Sequence, residues 1–377
     1  MPCWQNAHIY VGKASGNGDI VMRKLTQQDL ADLVEGAAIF SSGGGGDPQI
    51  GSNIVESLRE DHCPVRLIDP EDVPDDQIVI NFACVGATAN AAYHSDAAVR
   101  TLRTLEEFLG KKAFAVIAVE LGGFNTLAAV DVAARRGIPI VDADGAGRAV
   151  PEVHLKVYTL DDIPLAPMVA ADINAENVVL IERTSDSKAA ERITRTLAEE
   201  WNQTVYTARR ILTGRQVKTS PVPNTLSASI RIGTLLRKAL DPLGAILKET
   251  KGFLLFEGTV SKAEHETKSG FTWTTLGLEG TNENKNSTFE LKAKNEFLIA
   301  HKDGKLAAIA PDIITAVNPE TGRCIPAERV KRGDKLAVIG IPAPAKWRCQ
   351  KGLKLWEEVM QRSGITENYT RIERLHS

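Results

Sequence analysis

Two stretches of the chain place acids and glycines close together at what read as strand tips. "VELGGFN" sets Glu120 ahead of Gly122, Gly123 and Asn125, and "VDADGAGRAVPE" sets Asp142 and Asp144 ahead of Arg148 and Glu152. Carboxylates crowded into one crevice repel one another, so at least one would keep its proton near neutrality and serve as an acid while another serves as a base. Arg148 adds the opposite charge and a planar fork suited to a carboxylate, carbonyl or amide. On the residues alone, the competing reading is that Glu120 and Asp142 only cap the turns after their strands and Arg148 only neutralises them.

A third stretch, "SSGGGGDPQIG", runs four glycines into a helix start. Ordering glycine costs more backbone entropy than ordering any other residue, so such a run needs a reason. It has no GK[ST] ending, and it lacks the GxGxxG spacing after a long strand, so neither phosphate-binding template fits. What remains is a row of N–H groups at Gly44, Gly45 and Gly46 leading to a helix N-terminus, a general holder of carbonyls or anions. Asp47 at the cap opposes an anion, so a neutral polar ligand is expected. Other candidates are weaker. Cys84, at the end of "NFACV", is either a nucleophile or, more ordinarily, a small core residue. His94 and His154 lack the clustered spacing of a metal site, so a divalent metal is only an alternative. No organic cofactor is expected.

These residues need a scaffold, and the periodicity supplies one. Leu30, Leu33, Val34 and Ala37 mark a helix behind Thr26, and Ile50, Ile54, Val55 and Leu58 mark a second behind Asp47-Pro48. "DQIVINFACV" (Asp76–Val85), "AFAVIAV" (Ala113–Val119) and "IPIVDADG" are continuous apolar strands. They alternate with helices starting near Ser95, read as a cap, and near Asn125. Strand–helix–strand with apolar strands predicts a parallel sheet covered on both faces, whose ligands gather at the carboxyl ends of the strands. "ENVVLIER" predicts a further strand, "DSKAAERITRTLAEEW" an amphipathic helix, and Leu226–Ala239 another helix. From "FLLFEGTV" onward short strands and turns such as "KDGK" and "PETGR" predict a mainly antiparallel β domain. The expected division is a leader over residues 1–21, disordered or misassigned ahead of Met22, an α/β domain over 22–186, and a β-rich domain with flanking helices over 187–377.

Bulk composition narrows the function classes. The chain has 377 residues, 43% hydrophobic and 25% charged, with a net charge of −3. Nothing resembles the basic, aromatic-interleaved stripe of a nucleic-acid binder or the long apolar run of a membrane span. Five scattered cysteines without a CxxC pair fit a reducing compartment, so a cytoplasmic location is expected.

Taken together, "SSGGGGDPQIG", "VELGGFNT", "GIPIVDADGAGRAVPE", "VPNTLSASIRIG", "SGFTWTTL", "NEFLIA" and "APDIITAV" resemble, in that order, the S-methyl-thiohydantoin desulfurase family, which is associated with hydantoinase and oxoprolinase systems. The resemblance runs from about Met22 to about Pro344. It implies an α/β domain followed by a β-rich domain, and action on a thiohydantoin-like five-membered ring. It carries over as family positions Gly43 to Gly46, Asp47, Glu120, Gly122, Gly123, Asn125, Asp142, Asp144, Gly147, Arg148, Pro151, Glu152, Asn295 and Glu296, without their roles. One departure stands out: where the family reads Gly-Ala-Pro and then Glu-Lys, this chain reads "VGATANAAYHSD", so the loop Gly86–Asp96 has lost a proline and an acid–base pair.

The expected activity is therefore hydrolytic desulfurisation. Glu120 or Asp142 activates water, Asp144 or Glu152 assists the leaving sulfur, Arg148 and Asn125 hold the ring, and the glycine loop supplies N–H donors. Gly44, Gly45, Gly46, Asp47, Gly123, Asn295 and Glu296 complete the expected substrate contacts. The altered loop keeps a second reading open, a non-catalytic partner of a hydantoinase-like enzyme, with self-association a further candidate. A metal-dependent hydrolase using the same acids with His94 or His154 is the third.

Overall fold

Thr26 starts the first helix as the spacing predicts: its hydroxyl accepts from Asp29 N–H while the Asp29 carboxylate accepts from Thr26 N–H. The computed structural model describes residues 9–13, 19–87, 91–201 and 204–377. Ahead of Thr26, strands β1 (Ile9–Lys13) and β2 (Asp19–Lys24) pair antiparallel. Residues 1–8 and 14–18 of the expected leader lie outside the described residues. Helix α1 (Gln27–Phe40) buries Leu30, Leu33, Val34 and Ala37. Helix α2 (Pro48–Glu60) begins at Asp47, whose side chain accepts from Gln49 N–H, with proline at the first turn. The four glycines thus join two helices.

The chain then builds a sheet from β3 (Arg66–Ile68), β4 (Ile78–Val85), helix α3 (Ser95–Leu109), β5 (Ala115–Ala118), helix α4 (Asn125–Arg135) and β6 (Ile140–Asp144). The cap of α3 is His94 rather than Ser95, and Gly110 closes the helix in the left-handed region at φ 61°. Strands β3, β6, β5 and β4 lie side by side and parallel. These are the expected parallel strands, and beyond them the sheet is mixed, with antiparallel strands added at its margins. Next come β7 (Met168–Ala171), β8 (Val178–Ile181), helix α5 (Ser187–Glu200), β9 (Val205–Thr213), helix α6 (Gly214–Thr219) and the two-residue β10 (Val222–Pro223). Strand β9 runs antiparallel to β4, β7 to β9 and β8 to β7, and β10 caps the tip of β6 antiparallel at Ala143 and Asp144. Strands β7 and β8 form a hairpin, whereas β9 reaches the sheet after helix α5 and lies antiparallel beside β4.

Helices α7 (Thr225–Lys238) and α8 (Pro242–Thr250) lead into the second sheet. It comprises β11 (Phe253–Lys268), β12 (Phe271–Gly280), β13 (Thr288–Lys294), β14 (Glu296–Lys302), β15 (Lys305–Ile309), β16 (Ile313–Val317) and β17 (Lys335–Ile341). All its pairings are antiparallel, in the order β15-β14-β13-β12-β11-β17-β16. Helices α9 (Gln350–Arg362) and α10 (Ile372–Leu375) finish the chain. Among the described residues no helix is long and apolar enough to cross a membrane.

The glycine loop is the seam between the two sheets. Ser42 O accepts from Phe297 N–H (2.7 Å) and Gly43 O from Ala327 N–H (2.9 Å), while the Ser42 hydroxyl bridges Phe297 O and Ile314 O. These bonds pin the start of β14, and hence Glu296, against the loop.

Candidate functional site

Glu120 follows β5 and projects into a small pocket with about 60 Å³ of water-accessible space. Three donors hold its carboxylate: Asn125 Nδ2 on Oε1 (2.8 Å), Lys156 Nζ on Oε2 (2.9 Å) and Val150 N–H on Oε2 (3.2 Å). Asn125 opens α4 and also clasps the end of β4, accepting from Cys84 N–H (2.9 Å) and donating to Cys84 O (3.2 Å). The helix start, two strand tips and one carboxylate are thereby fixed to one another.

Across the pocket stands Glu296, the first residue of β14 and 2% exposed. Its Oε2 has no hydrogen-bond partner among the described residues. Burial, then the neighbouring Glu120 charge, push its carboxyl up to about 8, so it holds its proton at neutral pH. Glu120 is ion-paired to the Lys156 ammonium whereas Glu296 is unpaired among the described residues and protonated, and two carboxyls in such different surroundings are the pattern that assigns base and acid in paired-carboxylate sites. Asn295, at φ 60° between β13 and β14, exchanges bonds with Thr272 through its backbone and Oδ1, and it lines the same pocket.

The glycine run reaches this pocket with Gly45 and Gly46. Gly45 sits at φ +66°, and its carbonyl accepts from Asn125 N–H (3.0 Å). The N–H groups of Gly45 and Gly46 meet no protein acceptor among the described residues. Gly44 lies against the Glu296 carboxyl, where an added Cβ would fall 2.1 Å from Oε1. Gly123 packs on Pro48 rather than on the pocket. Asp47 caps α2 and pairs with Arg329, also away from the pocket.

Four expected residues are turned elsewhere, a correction to the reading that all the strand-tip acids face one crevice. Strands β5 and β6 are indeed neighbours, but the β10–α7 segment covers the tip of β6. Asp142 accepts from Ser227 N–H (3.0 Å) and Ser227 Oγ (2.5 Å), and burial raises its pKa. Asp144 accepts from Ala146 and Gly147 N–H, closing the turn after β6; burial outweighs these donors and lifts it to about 7. Arg148, fully buried, donates to Ala149 O (2.8 Å), Pro311 O (2.7 Å) and Asp312 O (2.9 Å) and stacks on Trp356. It ties the post-β6 loop to the second domain. Glu152 is buried, which opposes its charge, yet Lys294 (2.6 Å) and Arg362 (2.8 Å) hold its pKa below the usual range.

Lys156, Arg195 and Arg209 also line the pocket, and none was singled out from the sequence. Arg195 is spent on Glu191, Gly86 O, Gly270 O and Pro151 O, and lies 3.9 Å over the Phe271 ring. Arg209 belongs to β9, within the apolar run "VYTARRILT". Charged residues inside a run of strand-formers are the one signal that could have marked it. Cys84 lines the pocket too, but burial, then Glu120, raise its thiol pKa well above the ordinary value, so it is a poor nucleophile. His154 stands 3.4 Å from Glu152, and His94 contacts Asn174, so the two histidines lie in different surroundings. Among the described residues no three His, Cys, Asp or Glu side chains are grouped to hold a metal ion. In the pocket the Lys156 ammonium occupies the carboxylate face a divalent cation would need, so the residues present do not fit one.

A two-domain protein with an α/β half, an antiparallel β half and an acid pair enclosed at their seam is the class defined here. The chain belongs to the S-Me-THD-like family: the model of its N-terminal domain matches residues 28–182 and that of its C-terminal domain residues 184–358. A crystal structure of a protein from Chromobacterium violaceum shares this fold, with 25% identity over 93% of this chain and 99% of that one and a TM-score of 0.77. No curated protein matches the chain.

Proposed function

We propose that the pocket hydrolyses the carbon–sulfur bond of a thiohydantoin-like ring, replacing sulfur with oxygen. Glu120 takes a proton from water as its oxygen bonds to the sulfur-bearing ring carbon. The electron pair of the C=S bond moves to sulfur, which takes the Glu296 proton. Collapse of this adduct returns the hydroxyl proton to Glu296 and releases sulfide carrying the Glu120 proton, so both acids end as they began. With an S-alkyl ring the leaving group is a thiol instead. The observation that carries this reading is Glu120, ion-paired to Lys156, and the protonated Glu296, unpaired among the described residues, lining one small pocket.

Lys156 and Asn125 hold Glu120 in place, and the Gly45 and Gly46 N–H groups suit the charge that develops in the adduct. The family match supports a thiohydantoin-related substrate. Gly86, Ala87 and Ala91 of the departed loop form one wall, so ring substituents are selected there. The test is incubation of the purified protein with a panel of 2-thiohydantoins and S-methyl-thiohydantoins, with released sulfide or methanethiol measured. Release from at least one ring supports the proposal, and no release from any of them refutes it.

A further inference from the structure

Among the described residues, every cation lining the pocket but one has an ion-pair partner. Lys156 is paired with Glu120 and Arg195 with Glu191. Arg209 is 2% exposed, its Nη1 has no hydrogen-bond partner among the described residues, and the groups that act on it do so only at a distance. Burial lowers its pKa to about 10, which still leaves it charged at neutral pH. Three cations thus stand against two carboxylates, Glu120 and Glu191, while Glu296 holds its proton and contributes no charge. Removing an unpaired guanidinium from water costs several kcal/mol, roughly as for any buried unpaired ion, unless something returns that energy. Among the described residues the pocket lining holds no further carboxylate to pair with it, so a ligand entering the pocket is placed to supply the compensating charge. Asp47, the acid that would oppose an anion at the glycine loop, is paired with Arg329 and does not line the pocket.

We infer that the pocket binds its ring ligand as an anion, with the Arg209 guanidinium carrying the ligand's negative charge. This rests on the ring-hydrolase reading above and adds the charge state of the substrate. The planar fork of a guanidinium matches a planar anion with two acceptor atoms. Two sources provide one: the conjugate base of the ring N–H between its carbonyl and thiocarbonyl, or a carboxylate substituent on the ring.

The test is calorimetric binding at pH 7 to wild type, Arg209→Gln and Arg209→Lys. Oxygen rings are used because they cannot be desulfurised. The probes are hydantoin, 3-methylhydantoin, 3-methylhydantoin-5-acetic acid and, free of any ring, acetate and thiocyanate. In wild type the anionic form is expected to bind at least about tenfold more tightly than neutral 3-methylhydantoin, because only the anion makes a charge-assisted hydrogen bond to Arg209. Arg209→Gln should abolish that difference while leaving 3-methylhydantoin within about twofold, and Arg209→Lys should keep part of it. A preference for hydantoin assigns the charge to the ring, and a preference for the acetic acid derivative assigns it to the substituent. Equal binding of all three rings in wild type, or an equal loss of all three in Arg209→Gln, overturns the inference and leaves the hydrolase reading standing. Arg209-dependent binding of acetate or thiocyanate without any ring binding supports the anion site and counts against the hydrolase reading. No binding of any anion overturns the inference.

Discussion

Lys156 Nζ lies 2.9 Å from Glu120 Oε2, with the two side chains 3% and 9% exposed. This pair sets the charge on one side of the pocket. Lys156→Met should leave a buried carboxylate without its counter-ion and lower stability by about 3–5 kcal/mol. Denaturant unfolding of Lys156→Met, Glu120→Gln and the double variant measures it. The double variant is expected to lose less than the sum of the two single losses, because the groups interact directly.

The proton on Glu296 gives the reaction an alkaline limit. Its carboxyl sits at about 8 in the folded chain against an ordinary 4.5. Sulfide release should therefore fall as pH passes about 8, and Glu296→Gln should lower the rate by about 100-fold or more and lose that limb. Stability has a definite sign as well. Between 4.5 and about 8 the folded chain binds the proton that the unfolded chain has lost, so this contribution is fully present below 4.5 and disappears as pH rises through about 8. Asp144, at about 7, adds a slope of the same sign. Urea unfolding at pH 5 and pH 8 should show a smaller loss of stability in Glu296→Gln than in wild type.

Gly44 has no room for a side chain. An added Cβ would fall 2.1 Å from Glu296 Oε1, so Gly44→Ala should displace the acid and lower turnover at least about tenfold. Gly110→Ala is the comparison: Gly110, unlike Gly44, sits in the left-handed region at φ +61°, but nothing lies within 4 Å of an added Cβ. It should cost about 1 kcal/mol of stability and leave turnover unchanged.

Arg148 should behave as a structural residue. Arg148→Lys keeps the charge but cannot reproduce the guanidinium bonds to Ala149, Pro311 and Asp312 or its stacking on Trp356. A loss of about 2–4 kcal/mol in unfolding is expected, with KM changed less than threefold. A large rise in KM at unchanged stability would return Arg148 to the binding site.

Much of the scaffold was legible because it rests on local rules. The Thr26 and Asp47 caps, the helix stripes and the three apolar strands β4, β5 and β6 follow from residues within a few positions of one another. The placement of Glu120 and Asn125 at a strand tip and a helix start was legible for the same reason. Asp142 and Asp144 misled because a strand tip fixes where a side chain begins but not what covers it. Here the β10–α7 segment, some eighty residues on, supplies Ser227 and closes the tip. Lys156 and Arg209 were missed because each acquires its role from long-range packing: one from an ion pair across the pocket, the other from a strand that enters the sheet antiparallel beside β4. Asn295 and Glu296 came into view only through the family resemblance, since nothing in the local pattern of β13 and β14 distinguishes a buried acid from an exposed one.

The central claim is that Glu120 and Glu296 act as a base and acid pair on one ring carbon. Its most direct test is the rate of sulfide release at pH 7 from a thiohydantoin that the wild type turns over, compared with Glu120→Gln and Glu296→Gln at matched folded fraction. Both variants should be slower by about 100-fold or more, as expected for loss of a general acid or base. Release by either variant within about threefold of wild type would contradict the claim.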